Sequence, residues 1–297
     1  MNGYFSYVSA AIHWNIPCLD VVIGREITEC DVEEITVPDH SARFRRKGVK
    51  VHGCQLPLPA NAVVSRNGIK VSSPELLFLE FARRLDMHRL ILLGLQLCSY
   101  KPGQPSQALT TKQNPKAFLE KTSGHRGHGK ALRAVKYIEN GSASIMESLA
   151  FMILTLPYAL GGYGLSGAVF NHGIKLQGKA RARLEQDRCY IDLYYRHKKV
   201  GVEYESFAHH STPSEIGKGA IRSAVLRRRG ITMLHLNTIQ LYDRDACRDF
   251  AYTLAARLGK RIHIRTAKFE EMHERLRQLL PQKQSDSANP LSLNTWF

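Results

Sequence analysis

This chain is short of acid. Its 297 residues carry 26 Asp and Glu against 42 Lys and Arg, a formal net charge of +16. So basic a balance favours an anionic partner, with nucleic acid first among the candidates. Other absences narrow the chemistry. The six cysteines (Cys18, Cys30, Cys54, Cys98, Cys189 and Cys247) include no Cys-x-x-Cys pair. Neither a zinc ribbon nor a redox motif can be built from that spacing. They read as reduced, mostly buried thiols of a cytoplasmic protein. The opening MNGYFSYVSAAIHW lacks a basic start followed by an apolar run, so no signal peptide is expected. No RNA-recognition aromatic motif is present. One apolar run, residues 148–165, has the length of a membrane span. Pro157, Gly161, Gly162 and Gly164 interrupt its second half, so the expectation is a buried helix from about Ser144 to Leu156 and then a glycine-rich turn. No membrane partner is expected.

What is present is enough for two modest domains, and 43% hydrophobic residues imply a packed core. YFSYVSAAIHWNIP reads as a short helix ended at Pro17, and EEITVPD, GVKVHGCQ and GIKVSS read as strands. Between the first two strands, Arg43 and Arg45 to Lys47 form a basic loop. It is either a solvated connection or a phosphate contact. SSPELLFLEFARRLD starts a helix with Ser73 as its cap and Pro74 in its first turn. DMHRLILLGLQLCS reads as a buried helix. A loop near 101–112 marks a boundary, and helices follow at about 115–121 and 129–139. His125 and His128 lie between those helices among glycines, with no nearby acid, and read as a basic loop rather than a metal site. Ser144 and Glu147 have the spacing of a capping box on the helix that follows. Asn171 to Gly173 and Gln177 to Lys179 read as turns, and the alternation of Lys179, Arg181 and Arg183 reads as an exposed basic strand edge.

The chain is organised around residues 189–210, CYIDLYYRHKKVGVEYESFAHH. Ile191, Leu193 and Tyr195 alternate with Asp192 and Tyr194; Val200, Val202 and Tyr204 alternate with Gly201, Glu203 and Glu205. Period-two alternation of β-branched and aromatic residues signals two strands, joined through Arg196 to Lys199. In a hairpin about that connector, Asp192 lies near Glu203, and Asp192, Glu203 and Glu205 can share a face. Three carboxylates on one face repel, and a divalent cation with oxygen ligands offsets that repulsion. A helix from TPSEIGKGAIRSAVLRRRG, ended at Gly230, and a strand from ITMLHLNTIQLYD complete a crossover unit. Two amphipathic helices and a polar tail close the chain.

An Asp ending one strand, followed by Glu-x-Glu on the next, resembles the core of the PD-(D/E)XK nucleases. The continuation E-Y-E-S-F-A-H-H, then Arg222 and the strand ITMLHL, is similar to the very-short-patch-repair-like endonucleases. Two positions depart from that group. Glu205-Ser206 replaces its usual Asp-Gly, and Lys218 or its neighbours stand where its helix carries Asp. The first 95 residues, with V-P-x-x-x-x-R-x-R-x-x-G-V-x-V-H and S-P-E-L-L-x-L, resemble the body of AbiEi-type abortive-infection antitoxins, without their winged-helix head. These resemblances imply an α/β protein. Its expected parts are a small α+β module over 1–100, a helical linker over 101–140, a nuclease core with a mixed sheet flanked by helices over 141–262, and a C-terminal helix and disordered tail over 263–297.

The implied activity is hydrolysis of DNA phosphodiester bonds with Mg²⁺ or Mn²⁺. Asp192 and Glu203 would hold the metal. Glu205 would orient or deprotonate water, and His209 would donate a proton, with His210 beside it. Arg222 and Arg229 would clamp phosphate, with Lys198 and Lys199 as further basic contacts. Glu147 has two readings, a helix cap or a metal-facing acid. The alternative function is a non-catalytic DNA-binding regulator on a decayed nuclease fold, with Asp192 and Glu203 neutralised by Lys198 or Lys199. A toxin–antitoxin or defence-system partner is consistent with either.

Overall fold

The computed structural model describes residues 3–28, 32–39, 41–206, 213–265 and 267–281, without side-chain detail for 213–216. The protein is mixed α/β and divides into two compact units, residues 1–99 with 108–140, and residues 100–107 with 141–297. The expected linker over 101–140 is therefore not a separate element, and the C-terminal helix is part of the second unit. The reason is burial. Phe118, Leu119, Ala131 and Ala134 are all covered, and the two helices that carry them pack on the helices before them.

The first unit opens with β1 (Tyr4–Phe5), α1 (Tyr7–His13) and α2 (Leu19–Ile23). Then come β2 (Glu33–Val37), β3 (Val49–Gly53), β4 (Val63–Arg66) and β5 (Ile69–Ser72). Their sheet has the order β3-β2-β1-β5-β4, parallel at β2–β3 and β1–β5 and antiparallel elsewhere. The strand β4 has no counterpart in the sequence reading. It pairs with β5 through Asn67-Gly68, both at positive φ (50° and 78°), as a two-residue hairpin turn requires. Helix α3 (Pro74–Phe81) starts as expected, with the Ser73 hydroxyl accepting from the Leu76 N–H. Helix α4 (Met87–Leu97) is capped by Asp86, and α5 (Gln113–Leu119) and α6 (His128–Ala134) close the unit. His125 and His128 meet the carbonyls of Pro57 and Leu119 respectively, a local structural use.

The second unit starts with α7 (Ile145–Thr155), the apolar helix expected from residue 144. Among the described residues no helix is long and apolar enough to cross a membrane. Then follow β6 (Val169–Lys175), α8 (Gly178–Leu184), β7 (Arg188–Tyr195), β8 (Val200–Glu205), α9 (Pro213–Arg228) and β9 (Thr232–Asn237). Two local readings are corrected. Asn171 to Gly173 lie inside β6 rather than in a turn, and Lys179, Arg181 and Arg183 lie on helix α8 rather than on a strand edge. The intervening alanines fit period two, but Ala, Lys and Arg are helix formers, and that propensity prevails.

The sheet order is β6-β7-β8-β9. The first three strands are antiparallel and β9 is parallel to β8, with α9 as the crossover. Ile221, Val225 and Leu226 of α9 pack with Ile174, Cys189, Ile191 and Ile231. Gly201 is required between β7 and β9, since a Cβ there would lie 2.5 Å from Met233 Sδ and 2.8 Å from Ile191 Cγ2. The chain closes with α10 (Thr238–Tyr242), α11 (Arg244–Leu258) and α12 (Ala267–Arg277). Helix α12 is held by Phe269 against Tyr158 and Tyr163 and by His273 Nδ1, 2.7 Å from the Gly161 carbonyl.

Candidate active site

The hairpin forms with the register the alternation implies: Leu193 faces Val202, and Tyr195 faces Val200. Asp192 is thereby level with Glu203, and the Tyr204 N–H donates to Asp192 Oδ2 at 2.9 Å. A third acid arrives from α7. The Ser144 hydroxyl caps that helix by accepting from the Glu147 N–H at 3.1 Å. The Glu147 carboxylate accepts from the Ala143 N–H at 3.0 Å and from Asn171 Nδ2 at 2.8 Å. Phe151 against Phe170, with ring centroids 4.7 Å apart, fixes α7 to β6. The capping reading of Glu147 holds, and its carboxyl also lies within the field of Asp192.

Electrostatics describe this cluster best. Burial, then the charge of Asp192, pushes the Glu147 carboxyl up to about 7. The same two causes, in that order, push Glu203 up to about 8. Asp192 is itself raised by burial, against the pull of the Tyr204 N–H and Arg222. Arg222 is the cation that answers them. Its NH2 lies 2.6 Å from Glu203 Oε1 and also donates to the Tyr190 carbonyl. This ion pair favours the ionised Glu203, yet lost solvation and the neighbouring Asp192 outweigh it, so the net direction is up. Arg222 Nε is buried with no hydrogen-bond partner among the described residues.

Glu205 differs from the other acids. It is exposed, and its Oε1 lies 2.7 Å from His235 Nδ1 on β9. The Thr238 hydroxyl donates to the Glu205 carbonyl at 3.2 Å and meets the Tyr204 hydroxyl at 2.9 Å.

The remaining expected residues lie elsewhere. Lys198 and Lys199 are in the β7–β8 turn, and Lys199 is four residues from Glu203, about 13 Å along an extended strand. They cannot neutralise the acids. Arg229 is one residue past the end of α9, seven residues or about 10 Å along the helix axis from Arg222. Its NH2 donates to the Lys175 carbonyl at 2.7 Å, a link to β6. His209 and His210 lie outside the described residues.

Two residues of the site escape a sequence reading. Asn171 adopts φ 44° within β6 and donates both to Glu147 and to the Gly141 carbonyl, at 2.9 Å. Asn tolerates the left-handed region better than most residues, so Asn within an alternating run was the available signal. His235 is placed by the parallel register Glu203–His235 and Glu205–Asn237, which no local pattern encodes.

The donor set fits a hard dication. Asp192 and Glu203 offer oxygen ligands whose mutual repulsion a cation would relieve. Among the described residues no group of three or more His, Cys, Asp or Glu side chains is placed to hold a metal. A hard dication that retains several waters needs only one or two carboxylates from a protein. No family model, curated protein or solved structure matches this chain.

Proposed function

We propose that the second unit is a magnesium- or manganese-dependent endonuclease acting on DNA, with Asp192 and Glu203 holding the ion. The observation that carries this reading is that the β7–β8 register sets Asp192 level with Glu203, with Glu147 of α7 in the field of Asp192, all three sheltered and raised by burial. Strongly perturbed acids gathered on a sheet are more typical of a working site than of a scaffold. A mixed sheet flanked by helices agrees with the resemblance to PD-(D/E)XK nucleases.

When bound, the metal supplies a lowered water pKa and neutralises charge developing on phosphate. The chain's own groups do the rest. Glu205, steadied at Oε1 by His235, accepts a proton from the attacking water at its other oxygen. Arg222, held beside Glu203, supplies the positive charge that answers charge developing on phosphate. Tyr204, through its N–H, holds Asp192 in one orientation, and Asn171 does the same for Glu147. His209 is assigned the proton donor to the leaving oxygen, and His210 a phosphate contact, on the resemblance alone.

One observation favours a second reading, a non-catalytic DNA-binding regulator: Glu203 is already engaged by Arg222. Supercoiled plasmid separates the two. Incubated with Mg²⁺ or Mn²⁺, wild type is expected to nick it, and Asp192→Ala and Glu203→Ala to lose nicking by at least about 100-fold. No cutting by any of the three, with equal salt-sensitive DNA retention, would replace the enzyme with the regulator.

A further inference from the structure

The first unit carries a charged surface that the proposed nuclease site does not use. Between β2 and β3 the chain runs through Arg43, Phe44, Arg45, Arg46 and Lys47, and Lys50 follows on β3. These residues line a cavity of about 800 Å³. Its lining, completed by Val49 and Val51, includes no acid. All five cations are exposed, whereas Phe44 is half-buried. The cations are held on a frame. Arg46 and Val49 form an isolated antiparallel bridge, Gly48 turns the chain at φ 77°, and the Gly48 carbonyl accepts from the Glu33 N–H of β2 at 2.9 Å. Strand β3 is the edge of its sheet, so no neighbouring strand covers this surface from that side. Lys50 approaches Glu34 at 3.9 Å, and that is the one ion pair any of the five makes among the described residues.

Exposed cations at this density repel one another unless an anion lies among them. Three guanidinium groups can engage phosphate oxygens with paired donors, and the lysines add point charges. Phe44 gives the cavity an apolar floor suited to the face of a base. We propose that residues 43–50 form a second nucleic-acid site, which binds the sugar–phosphate backbone without reading sequence. It works independently of metal and of the acids in the second unit. It would hold substrate on the protein whether or not the other unit cuts.

The test uses the full-length protein in EDTA, so that cleavage plays no part. Binding of a fluorescent oligonucleotide is followed by anisotropy across a salt series. The loop variant is R43Q/R45Q/R46Q/K47Q. A control, K116Q/K121Q/R133Q/K136Q, removes the same charge from exposed positions of the same unit. Every substituted side chain is exposed, so folding is not at stake. The loop variant is expected to bind at least about tenfold more weakly at low salt, and its log K against log salt slope to flatten by about 3.6, from roughly 0.9 for each of four lost contacts. The control is expected to change binding by less than about threefold. Equal weakening in both variants would overturn the site in favour of diffuse charge, and no weakening in the loop variant would overturn it outright. Loss of binding to phosphatidylserine vesicles alone, with the oligonucleotide still held, would overturn it in favour of a membrane surface.

Discussion

In the first unit Glu34 is 5% exposed, and the groups that meet its carboxylate are donors. The Val8 N–H donates at 3.0 Å, Arg84 at 2.8 and 2.7 Å, and His52 Nε2 lies 3.2 Å away. Burial pushes that carboxyl up, but the bonds from His52, Arg84 and Val8 together outweigh it and hold the group near 2. Glu80 beside it is raised to about 7 by burial, while Ser72 and the Tyr7 N–H donate to it. In the second unit Glu147, Asp192 and Glu203 are also sheltered, yet a leading influence on two of them is another acid. Burial alone does not distinguish scaffold from site. An acid whose donors outweigh its burial is held ionised, whereas acids set against one another are pushed towards their protonated forms.

The comparison breaks hardest at Glu34. Glu34→Ala leaves Arg84 and the Val8 N–H unanswered, and it is expected to destabilise the first unit by about 3 kcal/mol in urea unfolding. At Glu147 the direction reverses. In metal-free protein at pH 8, Glu147→Gln removes a charge repelled by Asp192 and is expected to raise stability by about 1 kcal/mol, while nicking falls.

The pH profile sharpens this contrast. Glu147, Glu203 and Glu80 bind their protons more tightly folded than unfolded, so the folded chain holds the extra protons. Wild-type stability without metal should therefore be highest below about pH 4.5 as regards these groups, and fall as pH rises towards about 8. Glu34 acts in the opposite sense, since its contribution is present above its unfolded value and is lost as pH falls towards 2. Glu147→Gln should flatten the fall between pH 5 and 8 in chemical unfolding. The smallest effect belongs to the Arg244–Glu270 pair, half exposed on both sides. Glu270→Ala should change stability by no more than about 0.5 kcal/mol by the same method.

The acid hairpin was legible because alternation fixes which residues share a face, and the 196–199 connector left little room for another register. The start of α7 was legible because Ser144 and Glu147 have cap spacing. Strand β4 was missed although Asn67-Gly68 is a strong turn signal, because VVSR is too short to show a period. The basic segment of α8 was misread because alternating charge mimics period two. Lys198 and Lys199 are close to the acids in sequence but not in space, because a strand places its turn well away from its far end. The helix spacing points to Arg222 but not to its partner. That Glu203 answers it depends on how α9 crosses the sheet, which no local pattern carries.

The most direct test of the central claim is thermal unfolding with and without 10 mM MgCl₂ at pH 8, for wild type, Asp192→Asn and Glu80→Gln. The account predicts that magnesium raises the wild-type Tm by about 2–4 °C, raises Glu80→Gln equally, and leaves Asp192→Asn unmoved. An equal rise in all three, or no rise in wild type, would contradict it.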